Sequence, residues 1–139
     1  MSPSACFQCV KLIKEAGYFR TFHAEINLEQ ICEHIFAYVE FTLEDNSLPF
    51  RRKFLAAIEE IPEIMDFMKL SGEVDYISFC CFSDINALNK TCDELSDNST
   101  FTIKRLKTLI VLERSKFFLG FPLERLKWRD EMKVVEDDI

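Results

Sequence analysis

From residue 34 onwards the chain runs strand, helix, strand, strand, helix, strand. That order predicts an α+β domain of the split βαβ, ferredoxin-like type. Three observations carry it. Two runs, 34–43 and 63–82, are rich in β-branched and aromatic residues. Two other stretches, 47–61 and 84–95, repeat apolar residues at helical spacing. Ser71-Gly72 divides the second apolar run into a hairpin. Right-handed crossovers then put both helices on one face of a four-stranded antiparallel sheet.

The elements follow in order. Residues 3–16 place Cys6, Cys9, Val10 and Ile13 at helical spacing, with Ser2 or Ser4 as cap and Gly17 as stop. Residues 18–26 alternate through Phe22, Ala24 and Ile26 and predict a short strand. In 34–43, Ile35, Ala37, Val39, Phe41 and Leu43 form one face, and Phe36 and Tyr38 make the other face apolar too. Ser47 caps the next helix, Pro49 sits in its first turn, and Phe50, Phe54, Ala57, Ile58 and Ile61 form its stripe until Pro62. After the hairpin, Asp84 caps a helix with Ile85, Leu88, Cys92 and Leu95 on one side, which polar residues 96–100 end. The last strand covers about 101–113, with Leu106, Thr108, Ile110 and Leu112 on one face. The tail from 121 reads as helical to about Lys133, and its acidic end frays.

A length of 139 residues suits one domain, or one domain with a small appendage. Hydrophobic residues at 48% with only 3 Gly and 4 Pro exclude a disordered chain. A formal net charge of -7 argues against strong binding to nucleic acid by the chain as a whole. The N-terminus has no secretory pattern, and no stretch is long enough to span a membrane, so a cytoplasmic protein is expected.

A sheet that is apolar on both faces must bury both. The 14 Phe residues overfill a small core. The expected cover is a second copy of the sheet, which makes the chain a homodimer or higher oligomer.

The hairpin turn is the candidate site. Gly72 permits a positive φ, and Glu73 and Asp75, two apart, are expected to share one face at the start of the following strand. Two acids beside a glycine turn in an apolar hairpin predict a small polar site.

The other motifs carry less. Cys6-x-x-Cys9 has the spacing of half a zinc site or a redox pair, but no second pair completes it. Cys80 and Cys81 are adjacent on a strand and point to opposite faces. Reduced, mostly buried thiols are expected, with no metal and no cofactor. His23 and His34 lie at no triad spacing to a nucleophile. Arg51-Arg52-Lys53 and Lys104-Arg105-x-Lys107 read as solvated surface.

Four segments, in order, resemble the Lrp/AsnC (feast/famine) family of transcription regulators. SACFQCVKLIKEAGYFRTFHAEIN is similar to the family's recognition helix and linker, and HIFAYVEFTLE to the first strand of its effector-binding domain. IPEIMDFMKLSGEVDYISFC resembles its P-x-V-x-x-x-x-x-x-G-D-x-D-Y hairpin, with Glu73 where Asp is usual. TLIVLERSKFFLGFPL resembles the last strand and Leu-Pro ending. Together they cover about residues 4–124. The first two helices of the family's helix-turn-helix have no counterpart here.

The resemblance implies a remnant of a DNA-binding domain in 1–30, an effector-binding and oligomerising domain in 31–125, and a tail in 126–139. It implies that a small amino acid or related metabolite binds between dimers at Ser71, Gly72, Glu73, Asp75 and Tyr76. Backbone N–H groups there would take the ligand's carboxylate, and Glu73 or Asp75 its ammonium. Lys11, Lys14 and Arg20 are the DNA-facing bases it implies, too few for firm phosphate anchoring. Binding would shift a dimer-to-octamer equilibrium. Two other readings stand beside this sensor. One is a ligand-free oligomerisation partner of full-length regulators. The other is a small enzyme on the same dimeric fold, for which two histidines are few.

Overall fold

The computed structural model describes residues 2–118 and 120–130, which fall into two compact units. Asn27–Phe117 form the larger one. It contains β1 (Ile35–Leu43), α2 (Leu48–Glu59), β2 (Ile64–Lys69), β3 (Tyr76–Phe82), α3 (Ile85–Ser96) and β4 (Ile103–Ile110). The smaller unit holds α1 (Pro3–Glu15) and the C-terminal segment from Phe118.

The four strands form one antiparallel sheet in the order β2-β3-β1-β4, the ferredoxin-like arrangement. The register follows from the alternation. Ala37, Val39, Phe41 and Leu43 of β1 lie on the same face as Tyr76, Ser78, Cys80 and Phe82 of β3, and all eight are buried. Helix α2 adds Phe54 and Ile58 to this core, and α3 adds Leu88, Cys92 and Leu95. Phe54 is the hub. Its ring lies 5.3 Å from Phe41, 5.3 Å from Phe101, 5.5 Å from Tyr76 and 5.9 Å from Phe67. Ring edges and faces at these spacings add attraction beyond area burial.

The helix ends show how local sequence sets boundaries. The Asp84 carboxylate accepts the N–H of Ala87 at 2.8 Å and caps α3 as expected. Ser2 caps α1 in the same way, accepting from Ala5 N at 3.2 Å. At α2, Ser47 holds the cap position but its hydroxyl caps nothing. Asp45 Oδ1 instead accepts the N–H of Ser47 at 2.7 Å, so the preceding turn orders the start of the helix.

Two expected elements are absent. Residues 18–26 form no strand: the apolar alternation is there, but no neighbouring strand supplies a ladder. Phe19 and Phe22 pack edge to face on each other instead, at 5.1 Å. Among the described residues of the tail, only a 3-10 turn at Leu123–Arg125 forms, and residues 126–130 are not helical. Trp128 Nε1 donates to the Leu123 carbonyl at 3.1 Å, which holds the segment in a bend. The expected helix beyond residue 130 lies outside the described residues.

Candidate functional site

The turn between β2 and β3 is longer than the Ser71-Gly72 signal predicts. Six residues, 70–75, join the strands, and Leu70 N donates to the Asp75 carbonyl at 2.9 Å across its base. Gly72 has φ +118°, and a Cβ built there meets nothing within 4 Å. The loop tip is therefore open, and the glycine answers to the backbone angle rather than to crowding. Ser71, Gly72 and Glu73 are exposed.

Glu73 and Asp75 do not share a strand face, because β3 begins only at Tyr76. The two acids have different surroundings. Glu73 is in solvent. Asp75 is half-buried, and its Oδ2 accepts the N–H of Leu43 at 2.8 Å. The reason lies in β1: a bulge between Thr42 and Leu43 shifts the register with β4, and the Leu43 N–H goes to this carboxylate. Asp75 N also donates to the Phe41 carbonyl at 3.0 Å. Asp75 thus ties the loop to the end of β1. A carboxylate has about four lone-pair positions, so one such bond leaves acceptor capacity. Tyr76 is buried, its ring stacked on Phe67 at 5.0 Å with 12° between planes. It anchors the loop from within the core.

The sheet face opposite the helices is the second feature. By register it carries Asp66 and Met68 from β2, and Ile77, Phe79 and Cys81 from β3. From β1 come Phe36, Tyr38, Glu40 and Thr42, and from β4 Arg105, Lys107 and Leu109. Phe36 stacks on Phe79 at 5.5 Å, Tyr38 lies 5.0 Å from Phe79, and His34 packs on Phe36 at 4.9 Å. The centre is aromatic and the charges sit at the margin. In the unit Asn27–Phe117, no helix packs on this face.

The bases implied for DNA contact lie in the other unit. Lys11 and Lys14 are exposed on α1, and Lys14 Nζ stands over the Phe22 ring at 5.2 Å. Arg20 is exposed in the bend that follows. Helix α1 buries none of its residues.

The thiols depart from the expectation of mostly buried side chains. Cys6, Cys9 and Cys32 are exposed, because α1 and the approach to β1 contribute nothing to the core. Cys80 and Cys81 do point to opposite faces: Cys80 into the core, where Ser78 Oγ lies 3.3 Å from its Sγ, and Cys81 onto the open face. Burial pushes the Cys80 and Cys81 thiols up from the ordinary value, and Cys92 up to about 11. Among the described residues no group of three or more His, Cys, Asp or Glu could hold a metal ion, and no helix is long and apolar enough to cross a membrane.

Sequence reading did not foresee a cleft at the other end of β2, lined by Glu60, Ile61, Pro62, Glu63, Thr91, Glu94, Leu95 and Asn98. Its walls come from the ends of α2 and α3, and no local motif marks such a junction.

With this geometry in hand, comparison with known proteins is informative. Residues 36–118 match the Lrp/AsnC ligand binding domain. Over 77 residues the chain is 34% identical to an HTH-type transcriptional regulator of Sinorhizobium fredii, covering 55% of this chain and 61% of that one. It therefore spans about three fifths of that relative's length. Over 122 residues it is 25% identical to the leucine-responsive regulatory protein of Escherichia coli K12, covering 84% of this chain and 70% of that one. Among solved structures, an AsnC family transcriptional regulator from Agrobacterium tumefaciens superposes with a TM-score of 0.76 at 21% identity. It covers 89% of this chain and 80% of that one. A transcriptional regulator from Neisseria meningitidis in complex with L-Met gives 0.78 at 24% identity, over 89% and 79%. At these identities the superpositions establish the shared fold.

Proposed function

Since the chain belongs to the Lrp/AsnC family by its ligand-binding domain, we propose that it is a transcriptional regulator whose ferredoxin-like domain senses a small amino acid. One observation carries this reading. The matched residues, 36–118, fall, but for the last, within the compact unit Asn27–Phe117, and that unit presents an open turn at 70–75. The Neisseria meningitidis relative is an L-Met complex, and the Escherichia coli relative is named for leucine, so these two amino acids are the first effectors to test.

In this reading the exposed Ser71–Glu73 backbone takes the effector's carboxylate, and Glu73 and Asp75 its ammonium. Tyr76 serves from the core, fixing the strand from which the loop springs. A ligand can drive an assembly change only by binding one state better than another. Two chains meeting through their open sheet faces supply such a state, with the loops at its periphery. The protein acts in the cytoplasm and catalyses no reaction. DNA contact rests on Lys11, Lys14 and Arg20, and three bases give this chain alone little affinity.

A thermal-shift screen of the common amino acids tests the sensor. An effector at about 100 times its Kd adds about 2.7 kcal/mol of stability and a clear rise in Tm. If no amino acid raises Tm, the sensor reading fails. The ligand-free assembly module then takes its place, favoured by the bond that commits Asp75 to Leu43.

A further inference from the structure

Helix α1 carries two thiols that the proposed sensor does not use. Cys6 and Cys9 stand three residues apart in a 13-residue helix, on the stripe that continues through Val10 and Ile13. That stripe is not part of a core. Helix α1 buries none of its residues, both thiols are exposed, and Val10 and Ile13 are 45% and 37% exposed. Packing, the ordinary reason for a cysteine on an apolar stripe, does not account for them.

The helix sets the distance between the thiols. Its first turn is held by the Ser2 hydroxyl, which accepts from Ala5 N at 3.2 Å, and by Cys6 N, which donates to the Ser2 carbonyl at 3.0 Å. Residues three apart on an α-helix have Cβ atoms about 5–6 Å from each other. A disulfide needs about 3.5–4.5 Å, so an intact α1 disfavours a direct S–S bond. An ion between the sulfurs fits better. Two bonds of the length of a zinc–thiolate bond, about 2.3 Å, let the sulfurs stand up to about 4.6 Å apart. The donor set narrows the choice of ion. Thiolates select Cu(I), zinc and iron–sulfur clusters. Structural zinc and the clusters take four ligands. Among the described residues no group of three or more His, Cys, Asp or Glu could supply them. The first turn of α1 has no acid, and Glu15, the helix's one acid, is at its far end. A pair of sulfurs without oxygen ligands suits Cu(I), which binds two thiolates in line.

We propose that Cys6 and Cys9 form a two-coordinate site for Cu(I) on the exposed face of α1. Binding breaks two S–H bonds and forms two Cu–S bonds. Both protons pass to solvent and the copper stays Cu(I), so no oxidant or reductant takes part. The resulting anionic centre shares its helix with Lys11 and Lys14, whose charges favour it. The site is separate from the turn at 70–75 and needs no second copy of the chain.

The reduced full chain, titrated with Cu(I) under nitrogen against the chromophoric competitor bicinchoninate, tests this. The wild type should withhold a single Cu(I) per chain. Cys6→Ser and Cys9→Ser should each lose it, whereas Cys32→Ser, which removes the remaining exposed thiol, should keep it. Circular dichroism confirms that each variant is folded. Bound Cu(I) should also protect Cys6 and Cys9, but not Cys32, from iodoacetamide, read by mass spectrometry. A wild type that yields all its Cu(I) to the competitor overturns the site. Retention by the Cys6→Ser/Cys9→Ser double variant does the same, because it marks an adventitious ion only. Zn(II) held as tightly as Cu(I), or a single ion shared between two chains, overturns the two-coordinate geometry.

Discussion

At the scale of single residues, Asp75 joins the candidate site to the fold. Its carboxylate accepts the Leu43 N–H that the β1 bulge sets apart, 32 residues away in sequence. Removing it leaves a part-buried N–H without that partner, which costs about 1–3 kcal/mol. Asp75→Ala is therefore expected to lower stability by that amount in urea unfolding, whatever it does to a ligand. Asp75→Asn keeps an oxygen acceptor for Leu43 but loses the charge that an ammonium needs. It should unfold within about 1 kcal/mol of wild type while losing amino-acid binding by calorimetry. Full binding by Asp75→Asn would remove Asp75 from the effector site and leave it a purely structural role. The sequence marked Asp75 as unusual through its place beside Gly72 and an apolar strand. It did not carry the bond to Leu43, because that bond depends on a register shift in β1, from which α2 and β2 separate Asp75. Glu73 shows the converse. Its spacing from Asp75 suggested a shared face, and the later start of β3 removed it.

At the scale of elements, the helices and strands of the larger unit were legible because each carries its own period and its own stop. The errors lie where an element needs a partner. Residues 18–26 alternate like a strand and find no ladder, and the tail has helical composition but makes a 3-10 turn. Caps give the sharpest contrast between two similar signals. Asp84 and Ser47 both stand one residue before a helix, and sequence alone ranks them as equals. Only Asp84 makes the side-chain bond, to Ala87 N. Asp84→Ala is expected to cost about 1 kcal/mol in denaturant unfolding, whereas Ser47→Ala should fall within about 0.5 kcal/mol of wild type. Equal losses from the two substitutions would show that backbone geometry at the cap position, rather than the side-chain bond, sets the energy. The cleft between the ends of α2 and α3 was invisible for a related reason: it belongs to neither helix alone.

At the scale of the molecule, what decides function is how the sheet divides its two faces. Five of the 14 phenylalanines, Phe41, Phe54, Phe67, Phe82 and Phe101, pack on the helix side, and Phe36 and Phe79 lie on the other. The alternation in β1 and β3 thus builds one core that the unit completes itself and one aromatic surface that α2 and α3 leave uncovered. Such a surface is stable in water when another copy covers it. Tyr38 sits on this surface, 38% exposed and 5.0 Å from Phe79. Tyr38→Glu replaces an aromatic anchor with a carboxylate, a loss of about 2 kcal/mol or more per copy. Twofold symmetry doubles that to about 4 kcal/mol, roughly a thousandfold in Kd. The variant should sediment as a monomer at concentrations where the wild type is dimeric. Its Tm should not change with protein concentration, while that of the wild type rises. Because Glu40 and Thr42 already stand on the same face, one more polar side chain there leaves the helix-side core untouched, and the monomer stays folded. Association of Tyr38→Glu equal to wild type would show that the second copy docks elsewhere, and the loops at 70–75 would then need a different mode of coupling to assembly.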